Sequence, residues 1–329
     1  MPLRTAVIGV GSLGRQHARL HATLATEGLS RFVSVVDLNE ETARSIAGER
    51  KVEWTTNWRD LIGKIDAVSL AVPTEAHCEI ACGLLEAGIN VLVEKPISRT
   101  LDEADQMIKA AKNGKALLQV GHLERFNPAM VALRPYVKKP VYFEIHRVGE
   151  FTARSLDIDV VLDLMIHDLD IVQWLVGEDV EVTGIHAVGI AILTNKVDAA
   201  NARLEFSSGA VANITASRVG TEKIRKMRFF QPHDYVAVDY TTKRASVSSL
   251  SPPTINGAWP GVHIKHLDVI DVEPLRAEIV SFLVAVQNGL PAPVSGHDGR
   301  NALSLALRTL ERIREHAEHP GVSEFAENR

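Results

Sequence analysis

Cysteine is almost absent: the 329 residues hold only Cys78 and Cys82, four positions apart. Two thiols cannot frame a disulfide scaffold, and a metal site would need further ligands that the sequence does not place beside them. Their spacing fits reduced thiols one turn apart on a helix. Also missing is any apolar run long enough to cross a bilayer. Nothing resembling a basic leader with an apolar core precedes the first strand pattern. Low-complexity tracts and repeats of solenoid period are lacking too. Charge is nearly balanced, with 36 basic against 41 acidic residues, which gives no footprint for nucleic acid or a membrane surface. What remains is 46% hydrophobic and 23% charged, the composition of a globular, cytoplasmic protein. The length accommodates two domains with separate cores.

The first thirty-seven residues read as strand, glycine loop, helix and strand. Arg4 to Val10 is a short apolar run of the kind buried in a parallel sheet. It leads into Gly9-Val10-Gly11-Ser12-Leu13-Gly14, a G-x-G-x-x-G pattern. The first glycine suits a tight turn, the second a close approach to pyrophosphate, and the third close packing of helix on strand. The next helix carries Leu13, Leu20 and Leu24 on one face, and its N-terminal amides suit phosphates. A second strand, Phe32 to Val36, ends on Asp37, which follows Gly14 by 23 residues. An acid there hydrogen-bonds an adenosine ribose and repels a 2′-phosphate. The pattern predicts a dinucleotide site that prefers NAD.

Strand and helix patterns then alternate. Asn39 caps a helix expected to end at Gly48, Val52 to Thr55 reads as a strand, and Asn57 caps the next helix. Ile65 to Val72 is a buried strand broken at Pro73-Thr74, followed by a helix from Glu75 to Ala87. Asn90 to Val93 ends in Glu94-Lys95-Pro96. Thr100 and Glu103 form a capping box for a helix reaching Asn113, and Ala116 to Val120 is a further strand. This is an α/β pattern: a doubly wound parallel sheet with ligands at the carboxyl ends of its strands. Val72, Pro73, Thr74, His77, Glu94, Lys95, Gly121 and His122 are placed along that edge.

After Arg125-Phe126-Asn127-Pro128 the pattern changes, so domains are expected at 1–122 and 123–329. A helix near Pro128 to Tyr136 and a strand from Val141 to Arg147 precede a long apolar helix, about Asp159 to Val176. Strands alternating with period two follow over Val180 to Leu193, Asn201 to Phe206, Ala210 to Val219, Met227 to Phe230 and Tyr235 to Tyr240. They predict a large, open, mainly antiparallel sheet whose free face packs on another subunit, in a homodimer or homotetramer. Ser248 to Pro260 reads as a loop. Helices from Pro274 to Asn288 and Gly299 to His316 precede a polar, frayed tail after Pro320.

The apolar helix carries the second chemical signal. Asp163 and His167 are four apart, hence on one helical face, and Asp170 continues it. An isolated pair of this kind is commonly structural, or half a metal site. Beside a dinucleotide domain with Lys95 at its strand edge, proton transfer is the expected role.

Together, Gly9 to Gly14, Glu94-Lys95-Pro96 and Asp163-x-x-x-His167 resemble the glucose-fructose oxidoreductase/inositol dehydrogenase/MocA family, over nearly the whole chain. Ser295 to Gly299 is similar to the turn before that family's last helix. The resemblance implies a Rossmann domain with NAD, a C-terminal α+β domain, and oxidation of a sugar hydroxyl. It implies that Lys95 contacts the reacting hydroxyl beside the nicotinamide, that His167 is the acid/base, and that Asp163 orients the sugar or tunes the lysine. It extends substrate contact to His122, Arg125 and Arg154. Many members carry Gly-Gly ahead of the motif helix; here Ile158-Asp159-Val160-Val161 stands instead, which weighs against inositol and simple monosaccharides. Gly121 to Ala129 and Asp159 to Val172 are similar to the branch acting on UDP-N-acetylglucosamine at C3, in lipid A precursor synthesis. Such a nucleotide sugar needs cations for its diphosphate, and Arg147, Arg154 and Arg218 are candidates. A dehydrogenase of another sugar or polyol, and a non-catalytic NAD sensor, are the alternatives.

Overall fold

The computed structural model describes residues 2–151, 158–177, 179–251 and 261–319. The chain forms two compact units, residues 1–123 with 273–303, and residues 124–272 with 304–329. A boundary near 122 was expected; the return of 273–303 to the first unit was not.

In the first unit, β1 (Leu3–Ile8), α1 (Gly14–Thr26), β2 (Ser30–Val36), α2 (Glu40–Arg50), β3 (Glu53–Thr55), β4 (Ala67–Leu70), α3 (His77–Glu86), β5 (Asn90–Glu94), α4 (Leu101–Gly114) and β6 (Leu118–Gly121) alternate. The six strands pair in parallel in the order β3-β2-β1-β4-β5-β6. This is the doubly wound arrangement, with order reversing beside β1. Asn39 caps α2 by accepting the Thr42 N–H at 2.9 Å. The helix runs past Gly48, however, and ends on Lys51 in the left-handed region, φ 57°. Asn57 caps a 3-10 turn, Trp58–Leu61, rather than an α-helix. Thr100 accepts from Glu103 N–H as expected of a cap. The Glu103 carboxylate turns to the Arg99 N–H and guanidinium instead of closing the box.

The second unit contains α5 (Pro128–Leu133), β7 (Tyr142–Glu150), α6 (Ile166–Val176), β8 (Val182–Ile190), β9 (Ala199–Phe206), β10 (Val211–Gly220), β11 (Ile224–Gln231), β12 (Asp234–Asp239), β13 (Arg244–Ser251) and β14 (Gly261–His266). These eight strands form one sheet in the order β14-β13-β12-β11-β7-β10-β9-β8. Only β7 and β10 pair in parallel. Alternate residues of β9, β10 and β12 are buried, so one face is covered and the other carries half-exposed side chains. Ser208 and Gly209 make the β9–β10 turn, with φ +83° at Gly209. The expected loop at Ser248 differs: its first residues extend β13, and 252–260 lie outside the described residues. β14 was not anticipated, and the expected frayed tail also falls outside the described residues.

The last helices are α7 (Pro274–Asn288) and α8 (Gly296–Ala317). α7 places Leu275, Ile279, Phe282 and Leu283 against Leu20 and Leu24 of α1 and Leu92 of β5. That spacing is one helical face, and each such side chain contributes ~1.5–3 kcal/mol on burial. The stripe is what returns this segment to the first unit. Among the described residues, no helix is long and apolar enough to span a membrane, and no cluster of metal-ligating side chains occurs.

Candidate functional site

In the first unit, the glycine loop is shaped by contacts that exclude side chains. Gly9 has φ +80°, and its N–H donates to the Val36 carbonyl at 2.8 Å. A Cβ on Gly14 would lie 1.7 Å from the Gly9 carbonyl oxygen, so helix and strand approach there only through glycine. Around Gly11 the space is open. α1 starts at Gly14, its N-cap Leu13 gives no side-chain cap, its first turn holds no acid, and Ser12 is exposed just ahead. The N-terminal amides and dipole are thus left for an anion, as a pyrophosphate cradle requires. Asp37 accepts the Val10 N–H through Oδ2 and the Asn39 N–H through Oδ1, each at 2.9 Å. The acid therefore holds the loop as well as ending β2. These residues fit NAD.

At the same sheet edge, His77 is 1% exposed and spans two loops. Nε2 lies 3.0 Å from the Val72 carbonyl, and Nδ1 lies 3.0 Å from that of Pro96. Burial lowers its pKa, and the ring sits between the Val72 carbonyl and the carbonyl of Pro96 in the cis Lys95-Pro96 turn. His77 serves the loops themselves rather than standing free for a ligand. Glu94 meets His17 Nε2 at 2.8 Å. Burial opposes its charge, but the His17 hydrogen bond and nearby Lys95 hold it below the usual carboxylate range. Lys95 is half-buried, directly after β5, and His122 is buried just past β6. His17 and Glu278, both buried beside Glu94, were not singled out in the sequence. His17 stands three residues after Gly14, a spacing that could have drawn notice; Glu278 carried no such signal.

In the second unit, the motif helix begins with a π turn, Val161–Met165, that carries Asp163 before α6 starts. Such turns are rare and frequent at functional sites. Asp163 and His167 are half-buried, whereas Asp168 and Asp170 are buried. Asp168 is met by Arg147 from β7, Nε to Oδ2 at 2.6 Å and Nη2 to Oδ1 at 2.8 Å. The third nitrogen, Nη1, reaches Glu124 at 2.8 Å. Asp170 is met by Arg125 at 2.8 and 2.6 Å. Arg225, whose pKa is lowered by burial, lies within electrostatic reach of Asp163, Asp168 and Glu124.

These pairs revise the expected cations. Arg147, 2% exposed, is consumed by acids of its own unit. Arg218, 6% exposed, turns to Asp198 and to the carbonyls of Ile158 and Val197. Arg125, expected to touch substrate, is 8% exposed and grips Asp170. Arg154 lies outside the described residues.

Residues 3–122 match the model of the oxidoreductase family with an NAD-binding Rossmann fold, and residues 102–230 match the GFO/IDH/MocA C-terminal domain. The chain belongs to the Gfo/Idh/MocA oxidoreductase family. It is 38% identical to UDP-N-acetylglucosamine 3-dehydrogenase of Acidithiobacillus ferrooxidans over 307 residues, covering 93% of this chain and 96% of that one. It is 27% identical to inositol 2-dehydrogenase of Rhizobium meliloti, covering 96% and 98%. A solved structure of the Acidithiobacillus ferrooxidans enzyme, GnnA, superposes with a TM-score of 0.90 and 36% identity, covering 97% of this chain and all of that one. Levoglucosan dehydrogenase in complex with NADH and levoglucosan shares the fold, with a TM-score of 0.83 and 19% identity. As a family member the chain is an NAD-dependent oxidoreductase acting on CH–OH groups.

Proposed function

We propose that this protein oxidises the 3-hydroxyl of UDP-N-acetylglucosamine to a ketone. The observation that carries the reading is the 38% identity to a UDP-N-acetylglucosamine 3-dehydrogenase across 93% of the chain, with Lys95, Asp163 and His167 in place. NAD, when bound, accepts hydride from the alcohol carbon. Gly9, Gly11, Ser12, Leu13 and Gly14 would hold its pyrophosphate, and Asp37 its adenosine ribose. Val72, Pro73, Thr74 and Glu94 flank the nicotinamide end in this reading. His167 takes the hydroxyl proton, a task suited to imidazole near neutral pH. Lys95 as ammonium stabilises the developing alkoxide. Asp163 orients the sugar or tunes Lys95, and His122 contributes to the sugar pocket. Arg125 acts through Asp170.

The reading carries a cytoplasmic location and a step in lipid A precursor synthesis. It also carries a homodimer or homotetramer formed through the half-exposed face of the eight-stranded sheet. The test is incubation with NAD and a panel of UDP-sugars, free sugars and inositol, following NADH absorbance and identifying the product. NADH with UDP-N-acetylglucosamine and a 3-keto product is expected. A response to inositol alone would select the polyol reading. NAD binding without turnover of any panel member would select a sensor.

A further inference from the structure

The acids that flank His167 are gripped on both sides. At 100° per residue, Asp168 lies about 100° to one side of His167 around α6, and Asp170 about 60° to the other. Both acids are buried, 0% and 1% exposed, while His167 between them is only half-buried. Each is held by two parallel N–H···O bonds, Asp168 from Arg147 and Asp170 from Arg125. Two-armed bonds of this kind fix direction as well as distance. The clamps are also joined. Arg147 Nη1 binds Glu124, the neighbour of Arg125 in the 3-10 turn Leu123–Phe126. Asn127 Nδ2 donates to the other Glu124 oxygen at 3.2 Å and to the Tyr240 carbonyl at 3.2 Å. A rotation of α6 that moved His167 would stretch one clamp and crowd the other. The turn ahead of the helix is π rather than α, so ordinary helical geometry does not by itself hold Asp163 and His167 in phase.

We propose that Arg147 and Arg125 are positioning residues that set the orientation of His167 by fixing α6 through Asp168 and Asp170. This rests on the reading of His167 as the acid/base for UDP-N-acetylglucosamine. Lysine keeps the charge but loses the two-armed geometry. In the full-length protein, Arg147→Lys and Arg125→Lys should each lower kcat by ~10- to 10²-fold, since small misplacements of a reacting group are costly in rate. KM for the UDP-sugar and Kd for NADH, read by fluorescence, should stay within about two- to threefold. Leu204→Val, a core change on β9, serves as a destabilised comparator and should lower Tm without changing kcat. Should Arg147→Lys fail to fold, Arg125→Lys and Asp170→Asn test the same point on the other clamp. If the lysine variants kept wild-type kcat while His167→Ala lost it, the positioning role would be overturned and the proposed chemistry would stand. If His167→Ala itself kept full turnover, the underlying reading would fall first.

Discussion

In the first unit the buried acids sit beside histidines or alone. Glu94 faces His17 at 2.8 Å, and neither carboxyl oxygen of Glu278 meets a hydrogen-bond partner among the described protein groups. In the second unit, Asp168 and Asp170 are each met by both arms of an arginine. A guanidinium is charged at every working pH, so the second arrangement is a fixed frame. A buried carboxyl without a hydrogen-bond partner can gain or lose a proton, so Glu278 responds to pH and to the neighbouring Glu94 charge. The rigid charges surround the helix that carries the proposed base. The adjustable ones lie around Glu94, the last residue of β5, which precedes Lys95.

The largest effects should come from the two groups given chemistry. His167→Ala should lower kcat by ~10²–10⁴-fold, with NAD affinity nearly unchanged. Lys95→Met should cost at least as much, because in the proposed reaction it removes the charge that stabilises the alkoxide. Single-turnover rates would decide both, and wild-type turnover in both variants would sink the catalytic assignment.

Next is the frame. Arg147→Met leaves Asp168 and Glu124 buried without their cation, at a cost of ~3–5 kcal/mol. Urea unfolding would measure it. A loss below ~1 kcal/mol, the scale of exposed pairs, would erase the contrast between the two units.

Glu278 tests the adjustable side. Burial, reinforced by the charge of Glu94, raises its pKa well above the usual value. Above the unfolded value of ~4.3 the folded chain therefore keeps a proton that the unfolded chain has released. That contribution favours folding at low pH and fades as pH rises toward the raised pKa. Glu278→Gln should flatten this decline and gain stability relative to wild type at pH 8. Urea midpoints between pH 5 and 8 that ran parallel for the two proteins would refute it.

The smallest effect is expected at Asp37. Asp37→Ala should narrow the preference for NAD over NADP and weaken NAD modestly, because the acid also holds the Val10 N–H. Binding titrations of both cofactors check this, and an unchanged ratio would remove Asp37 from cofactor choice.

Much of the first unit, and the motif helix of the second, was legible because the signals are local. The glycine spacing, the acid closing β2, the strand ending in Glu94-Lys95-Pro96 and the Asp163-x-x-x-His167 interval all depend on neighbours within a turn, a loop or one strand–helix unit. Period-two alternation likewise marked most strands of the second sheet. The errors fell where locality ends. Gly48 looked like a helix stop, yet that helix ends on Lys51, in the left-handed region. β14 was hidden because its side chains are all exposed and show no alternation of burial.

By itself, then, the sequence determined the cofactor domain and most of the order of strands and helices, and it offered Lys95, Asp163 and His167 as candidates for proton chemistry. Tertiary structure alone decided what the arginines do. Arg147, Arg125 and Arg218 are separated from Asp168, Asp170 and Asp198 by 21, 45 and 20 positions, so no periodicity links them. The same guanidinium would bind a diphosphate on an open surface or an internal carboxylate under a helix. Which one it meets depends on which elements the fold lays side by side, and that choice is made by packing over the whole unit rather than by any residue's neighbours in the chain.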